Sequence, residues 1–452
     1  MVRLKANKFY TEDKVIEVLP PPCKVYIPLS QHLGRPCNPL VGIGDAISIG
    51  QKIGAVDAHV YAPVHASISG KVTAIENWPH PVLGRCKTIV IESDGLDTSS
   101  VVRRPCLTAG RPRQWRGRQA SSEEIERLTA DEIRNIVFDA GIVGMGGAAF
   151  PAHIKLKPPK PVDTLIINGA ECEPYLTGDY RLMIEKTEEI LAGIKLIEKC
   201  LGVKNVYIAI EDNKPEAIKQ FKVSATMRGG PANLFGGHSS KFTVKVLKSQ
   251  YPQGGEKQLI KNILGKEVPQ GKLPFDIGVV VHNVATVYAI YEAAYKNKAL
   301  YERVVTVTGS CLTNPKNLLA RIGTPIKNLI DFCGPLKEGP AKIIIGGPMM
   351  GIAQYTDQVP VIKSTNGVLL FTKKEAELLA EEYCIRCGAC VRECPAGLMP
   401  CLINLASEKS LWQEAINYGV LDCMECGICN YICPANRNLV QSIKRAKLEA
   451  VK

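Results

Sequence analysis

Hydrophobic positions change their spacing along the chain. In residues 1–100, short β-branched runs alternate with Pro and Gly turns, at Lys24–Pro28, Ala46–Ile49, Ser67–Thr73 and Thr88–Glu92, which predicts an all-β unit. From 121 to 299 the spacing becomes mixed. Thr129-Ala-Asp-Glu132 is a capping-box sequence. Ile133, Ile136, Val137 and Ala140 then give the i, i+3, i+4, i+7 stripe of a buried helix face, and Gly141 is placed to stop it. Strand-like runs recur at Thr164–Ile167, Val206–Ile210, Phe242–Leu247 and Ile277–Val281, with helix-like segments between them. That alternation predicts a largely parallel sheet covered by helices. Residues 300–370 are β-rich again, with strands expected at Arg303–Gly309 and Lys342–Gly347 and turns at Asn314-Pro315, Gly323-Thr-Pro325 and Gly346–Gly351, which reads as a small β-grasp-like module. In residues 371–452, Thr372–Tyr383 and Ala396–Leu421 read helical. The fold class is α/β multidomain.

Composition adds one unusual number. Of 452 residues, 46% are hydrophobic and 22% charged, which is ordinary globular usage, but 17 are cysteine. The N-terminus lacks an apolar signal segment and no run approaches 18 apolar residues, so neither export nor a transmembrane helix of its own is expected. Without export a disulfide framework is disfavoured, and metal or redox chemistry is the better expectation. Eight cysteines form two matching runs, Cys384-x2-Cys387-x2-Cys390-x3-Cys394-Pro and Cys423-x2-Cys426-x2-Cys429-x3-Cys433-Pro. This is the two-cluster ferredoxin spacing, in which the fourth Cys of each run ligates the other cluster. One [4Fe–4S] cluster is therefore assigned to Cys384, Cys387, Cys390 and Cys433, and the other to Cys423, Cys426, Cys429 and Cys394. Zinc ribbons would use paired C-x2-C knuckles instead. The remaining Cys23, Cys37, Cys86, Cys106, Cys172, Cys200, Cys311, Cys333 and Cys401 have no ligand spacing and read mostly as small buried hydrophobes.

Net charge is +12, and a linker at 101–120 supplies Arg103, Arg104, Arg111, Arg113, Arg116 and Arg118 around Trp115. It reads as a solvated connector, or as a contact for anionic lipid headgroups or an acidic partner. No recognition motif for nucleic acid accompanies it.

Two motifs in the α/β region point to a nucleotide. The loop Gly141-Ile-Val-Gly144-Met-Gly146-Gly147-Ala-Ala-Phe150-Pro151 lets backbone N–H groups approach a phosphate, with Lys155 downstream. It follows a helix and not a strand, so it is not the dinucleotide fingerprint, and a tight structural turn is the alternative. The second motif, Leu165-Ile-Ile-Asn168-Gly-Ala-Glu171-Cys172-Glu173-Pro174, is an apolar strand ending in an Asn and two carboxylates. Ligands of open α/β sheets bind at such strand ends. Carboxylates there suit ribose hydroxyls or a nicotinamide amide and repel a bare phosphate; a solvated loop is the alternative.

These motifs carry a resemblance. The segments Gly44–Gln51 and Ala62–Val72 resemble the barrel-sandwich hybrid fold of biotinyl and lipoyl carrier domains, although the hairpin near Ala55–His59 has no modifiable Lys, which leaves a docking scaffold. The glycine loop and acidic strand end resemble the flavin- and NADH-binding subunit of respiratory complex I, with Ala149 and Ala170 where that family has Gly and Asp. Together with Gln31-His32, Tyr251–Lys257, His282–Thr286, Gly346–Gly351 and the two cysteine runs, the chain is similar over nearly its whole length to the C subunit of the Rnf ion-translocating ferredoxin:NAD oxidoreductase complexes.

The resemblance implies a peripheral subunit on the cytoplasmic face of the cell membrane. It would bind FMN and two [4Fe–4S] clusters, exchange hydride with NAD(H), and work beside a ferredoxin-type subunit and integral membrane subunits. Carried onto this sequence, Gly144, Gly146, Gly147 and Lys155 would surround the FMN phosphate, and Asn168, Asn283 and Thr286 would contact the flavin. Glu171 and Glu173 would position the flavin and the nicotinamide nucleotide, Phe150 would stack near adenine, and Glu256 would be a nucleotide-side carboxylate. No general base is named. His32, His65 and His153 are expected to make structural hydrogen bonds, and Cys172 to be a small strand-end residue. The domains expected are 1–100, a barrel-sandwich hybrid; 101–120, a basic linker; 121–299, the FMN/NADH domain; 300–370, β-grasp-like; and 371–452, a helical two-cluster ferredoxin domain. Alternative functions are a soluble cobalamin reductase-like flavin and iron–sulfur protein, or a docking and electron-wire subunit without nucleotide binding.

Overall fold

A computed structural model of the chain describes residues 2–95, 121–226, 242–377 and 379–450. The Arg-rich linker lies outside the described residues. The capping box at Thr129 forms: Glu132 N–H donates to Thr129 Oγ1, and Thr129 N–H donates to the Glu132 carboxylate at 2.8 Å. It starts helix α1 (Ala130–Asp139), whose Ile133, Ile136 and Val137 are buried. Gly141 follows at φ +67°, the left-handed position that ends a helix. A Cβ at Gly141 would overlap the carbonyl of Pro63 in the preceding β unit. Lys363, from beyond the next sheet, donates its Nζ to both Pro63 O and Gly141 O at 2.7 Å. Three parts of the chain thus meet at one buried ammonium.

The central sheet has strands β1 (Thr164–Gly169), β2 (Asn205–Glu211), β3 (Phe242–Leu247) and β4 (Val279–Asn283). All its pairings are parallel, in the order β3-β2-β1-β4. Successive residues of each strand point to opposite faces. Leu165, Ile167, Ile208 and Val280 enter a core with α1 and with the helix Thr187–Leu201. Ile166, Ala209, Val279 and Val281 enter a second core on the other face. The chain moves outward from β1 to β3 and then returns to β4 on the other side of β1. The carboxyl ends of β1 and β4 therefore flank the point where strand order reverses, the usual place for a ligand crevice.

Around this sheet stand helices α2 (Gly178–Glu185), α3 (Glu256–Leu264) and α4 (Val284–Lys296). The N-terminal β unit sets Lys24–Pro28, Gly84–Ser93, Gly70–His80 and Ala46–Ile47 against a smaller sheet of Asn38–Pro39, Lys52–Ala55 and Val64–His65, around Val25, Ile27, Ile53 and Ile91. In the module after residue 300, Glu302–Thr308 pairs with Lys316–Arg321 and with Gly367–Phe371. Its edge strand is Ile16–Val18, running parallel to Lys316–Arg321. A three-residue strand carries no period, so the sequence pattern does not announce it.

One element differs from expectation. Only Lys373–Ala376 of the segment Thr372–Tyr383 is helical, and the described residues from there to Gly388 form no regular element. Their backbone serves another contact: Glu382 N–H donates to Ala435 O, and Arg437 pairs with Glu381. Tertiary pairing with the second cysteine run outweighs local helix propensity. Between the runs, α5 (Pro400–Glu408) and Trp412–Asn417 are helical, and with α6 (Leu439–Ala450) they bury Ile403, Ala406, Ala415 and Ile443. Among the described residues no helix is long and apolar enough to cross a membrane.

The Gly141 junction should resist any side chain. Gly141→Ala combines a left-handed backbone with an overlap on Pro63 O, and is expected to cost about 2 kcal/mol. Calorimetric unfolding should show the loss; an unchanged midpoint would mean that the junction yields freely.

Candidate functional site

The crevice at the ends of β1 and β4 collects both nucleotide motifs. Asn168 and Asn283 are register partners at its floor. Asn168 Nδ2 donates to Gly254 O at 2.9 Å. Asn283 caps α4 by accepting from Ala285 N–H at 2.9 Å and donates its Nδ2 to Asp179 at 2.6 Å. The glycine loop folds over this floor. Gly144 N–H donates to Phe150 O at 2.8 Å and closes the loop, and Met145 N–H donates to Thr286 Oγ1 at 2.9 Å. Gly146 lies so close to the Asn283 side chain that a Cβ would crowd it, while Gly147 faces open space. Phe150 is half-buried. Lys155 donates to Val281 O at 2.9 Å and to Glu256 at 2.6 Å, at the first residue of α3. Gly144, Gly146, Gly147, Phe150, Lys155, Asn168, Glu256, Asn283 and Thr286 thus form one continuous set.

The two carboxylates of the strand end turn in different directions. Glu171, at φ +47°, accepts from the N–H groups of Asp179 (2.7 Å) and Tyr180 (3.3 Å) at the start of α2. Glu173 accepts from Met349 N–H (3.2 Å) and Met350 N–H (2.9 Å), and the Tyr251 hydroxyl, whose shorter bond goes elsewhere, stands 3.4 Å away as a weaker third partner. Gly347 leaves room for this carboxylate, which a Cβ would displace. Burial pushes Glu173 up to about 7, against the three donors that favour its charged form. Burial, and then the Glu171 charge, push Asp179 up to about 6. Cys172 accepts from Gly254 N–H, and burial pushes its thiol up to about 12, which keeps it protonated. His32 bonds Arg35 O, and His153 meets Phe138 edge-on at 4.8 Å. Buried His65 stands against the backbone of Asp139 and Pro63, and burial, followed by the Lys363 charge, pushes it well below its ordinary value.

The cysteine runs share one backbone pattern. Arg386 and Gly388 in the first run, and Glu425 and Gly427 in the second, take left-handed conformations, each Gly starting a one-turn helix that carries the third Cys. Cys394, Cys423, Cys426 and Cys429 line one cavity, walled by Leu398, Ile403, Val440 and Ile443. Glu425 N–H donates to Cys423 Sγ and Leu398 N–H to Cys394 Sγ, which suits thiolates. In the other set Cys390 and Cys433 are half-buried neighbours, and Cys401 stands beside Cys390; Cys384 and Cys387 are exposed. Among the described residues no three His, Cys, Asp or Glu side chains converge as a single ion requires. A cubane cluster binds each thiolate through a different iron, so its ligands ring a cavity and do not meet at a point. The set lining the cavity fits such a group, and in the other Cys390 and Cys433 are already neighbours.

The second set abuts the crevice. The Tyr251 hydroxyl donates to Cys426 O at 2.8 Å while it also touches Glu173. Gln258 Nε2 reaches Pro395 O at 2.6 Å, and Lys257 pairs with Asp422 at 3.7 Å. Gly427 lies against Met349 O. In the sequence Tyr251 stands out only as part of a motif, and Asp179 is not singled out, although it follows the acidic motif at a helix start.

Family models match along the chain: an RnfC barrel sandwich hybrid domain at 2–96, a Nuo51 FMN-binding domain at 137–292, an SLBB domain at 304–353 and a 4Fe-4S dicluster domain at 377–434. The C subunit of the proton-translocating ferredoxin:NAD(+) oxidoreductase complex of Clostridium ljungdahlii is 46% identical, covering 98% of this chain and 92% of that protein. Its counterpart in the Na(+)-translocating ferredoxin:NAD(+) oxidoreductase complex of Acetobacterium woodii is 44% identical, over 95% and 91%. The C subunit of the ion-translocating oxidoreductase complex of Rhodobacter capsulatus is 42% identical, over 98% and 81%. Among solved structures, an NAD+-reducing [NiFe]-hydrogenase in the H2-reduced state shares the fold, with TM-score 0.52 and 18% identity over 73% of this chain and 65% of that one.

Glu173 makes stability depend on pH. Its folded value of about 7 lies above the ordinary 4.5, so the folded protein holds a proton that the unfolded chain releases. Its contribution is full below about 4.5 and is lost as pH rises through about 7. Glu173→Gln does not titrate, so wild type should lose stability relative to the variant between about pH 4.5 and 7 and level off above that. A difference that stays constant with pH would show that Glu173 ionises normally.

Proposed function

The chain belongs to the family of C subunits of ion-translocating ferredoxin:NAD oxidoreductase complexes, and on that premise we propose how its residues carry the reaction. It is an electron-transfer subunit of such an oxidoreductase, with FMN, two [4Fe–4S] clusters and NAD(H). FMN supplies the chemistry that clusters lack, taking a hydride as an electron pair and passing electrons on singly. Relatives that span nearly the whole chain favour this over the cobalamin-reductase and electron-wire readings.

In this reading the open backbone of Gly144, Gly146 and Gly147 and the ammonium of Lys155 hold the flavin phosphate. Lys155 is already turned to that end by Val281 O and by Glu256, which sits on the nucleotide side. Asn168, Asn283 and Thr286 line the floor for the flavin, and their own bonds to Gly254, Asp179 and Met145 fix their orientation. Glu173 faces the nicotinamide nucleotide, Glu171 braces the same loop against α2, and Phe150 stands on the adenine side. Hydride transfer is a matter of alignment, so positioning replaces acid–base catalysis. Cys394, Cys423, Cys426 and Cys429 hold the cluster next to the flavin; Cys384, Cys387, Cys390 and Cys433 hold the outer one. The observation that carries the order is the Tyr251 side chain, which joins Glu173 to the Cys426 carbonyl. The exposed set, rimmed by exposed Tyr383 and Ile385, is where a ferredoxin-type subunit exchanges electrons. Integral membrane subunits of the complex anchor this peripheral chain at the cytoplasmic face, and either direction of flow uses the same path.

Anaerobically reconstituted protein should contain one FMN, and NADH should bleach the cluster absorbance. Cys394→Ala should remove one reduced-cluster EPR signal and Cys433→Ala the other, while FMN stays bound. Clusters and flavin with no response to NADH would sink the reading, and loss of the same signal in both variants would sink the interleaved ligand sets.

A further inference from the structure

Lys8 lies on the one-turn helix Lys8–Tyr10, in an N-terminal strap outside every motif described above. Its side chain is buried, 7% exposed. The Nζ donates to three carbonyl oxygens of the acidic loop, Glu171 at 2.8 Å, Glu173 at 3.2 Å and Leu176 at 2.5 Å, and stands 3.8 Å from the Glu171 carboxylate. An ammonium has three donors, and all three are spent on one loop. Lys214, 1% exposed, holds the residue before: its Nζ donates to Ala170 O at 2.6 Å and to Glu211 at 3.1 Å. The strap adds backbone support. Tyr175 N–H donates to Ala6 O, Thr11 and Thr177 share a hydroxyl bond at 2.7 Å, and Val2 pairs with Tyr251.

The loop needs such restraint. Glu171 at φ +47° and Tyr175 at φ +69° are left-handed without being glycine, each at a cost of about 1–3 kcal/mol. Freed, the loop would relax and carry Glu173 away from Met349, Met350 and Tyr251. The loop also bears two carboxylates, and two buried ammonium groups beneath it offset their charge.

We propose that Lys8 is a positioning residue for the nicotinamide nucleotide, acting through the Glu171–Leu176 loop and touching neither flavin nor nucleotide. The proposal rests on the NAD(H) reading above. Lys8→Met keeps the apolar stem and removes the three donors, while Lys214 and the strap backbone remain to hold the fold.

Steady-state kinetics and hydrogen–deuterium exchange test it together. With wild type reducing its clusters from NADH, Lys8→Met should raise KM for NADH about tenfold with kcat within about threefold. Amide exchange should quicken at residues 170–177 and nowhere else, with FMN and cluster content unchanged, and Lys8→Arg, which keeps charge and donors, should recover part of the affinity. An unchanged KM, or unchanged exchange in the loop, overturns the proposal while leaving the NAD(H) reading intact. Exchange quickened throughout the chain, or lost clusters, makes Lys8 purely structural and also overturns it. Wild type inert toward NADH fails the reading itself, at the first measurement.

Discussion

One half-buried carboxylate, Glu173, ties together parts of the chain that are distant in sequence. It leaves the end of β1, accepts hydrogen bonds from Met349 and Met350 N–H, and stands 3.4 Å from the Tyr251 hydroxyl. The same Tyr251 hydroxyl donates to Cys426 O in the second cysteine run. A buried carboxylate is expensive unless its lone pairs are met. Those partners therefore cannot drift apart without exposing an unsatisfied group. The crevice and the inner cysteine set are held at a fixed separation by that requirement, and a fixed, short separation is what one-electron exchange between them demands.

Charge is arranged to make the acidic strand end possible. Glu171, Glu173 and Asp179 crowd one corner, where burial raises Glu173 and Asp179. Lys8 and Lys214 answer from beneath, spending their donors on backbone carbonyls of the loop. At the other end of the crevice Lys155 stands at the start of α3, paired with Glu256 at 2.6 Å. The crevice thus sets an ion pair at one end and a cluster of carboxylates at the other.

The two cysteine runs are near-copies in sequence and in backbone, yet their surroundings differ. Cys426 is buried against Tyr251 and Cys429 in the helical core with Ile403 and Ile443, whereas Cys384 and Cys387 stand exposed beside Tyr383 at 92% exposure. Burial and solvent exposure both tune cluster potential, so clusters held by these two equal motifs would sit in unequal surroundings.

Most of the parts are legible in the chain alone. Period and caps mark α1 and the four parallel strands, and ligand spacing marks the eight cysteines. These signals are local: a capping box spans four residues and a cluster loop about a dozen, so they are written contiguously in the chain. Recognition of the glycine loop and acidic strand end likewise needs only short motifs. What those motifs face is settled by long-range packing. The described residues 379–388 leave the helical path that Thr372–Tyr383 implies because Ala435 and Arg437 claim the backbone of Glu382 and the side chain of Glu381. Ile16–Val18 is a strand only because Lys316–Arg321 lies beside it. Lys8 looks like any surface lysine until the loop 163 residues away closes over it. Burial and long-range hydrogen bonding depend on the whole folded chain, and no local pattern encodes which distant carbonyl will meet a given ammonium.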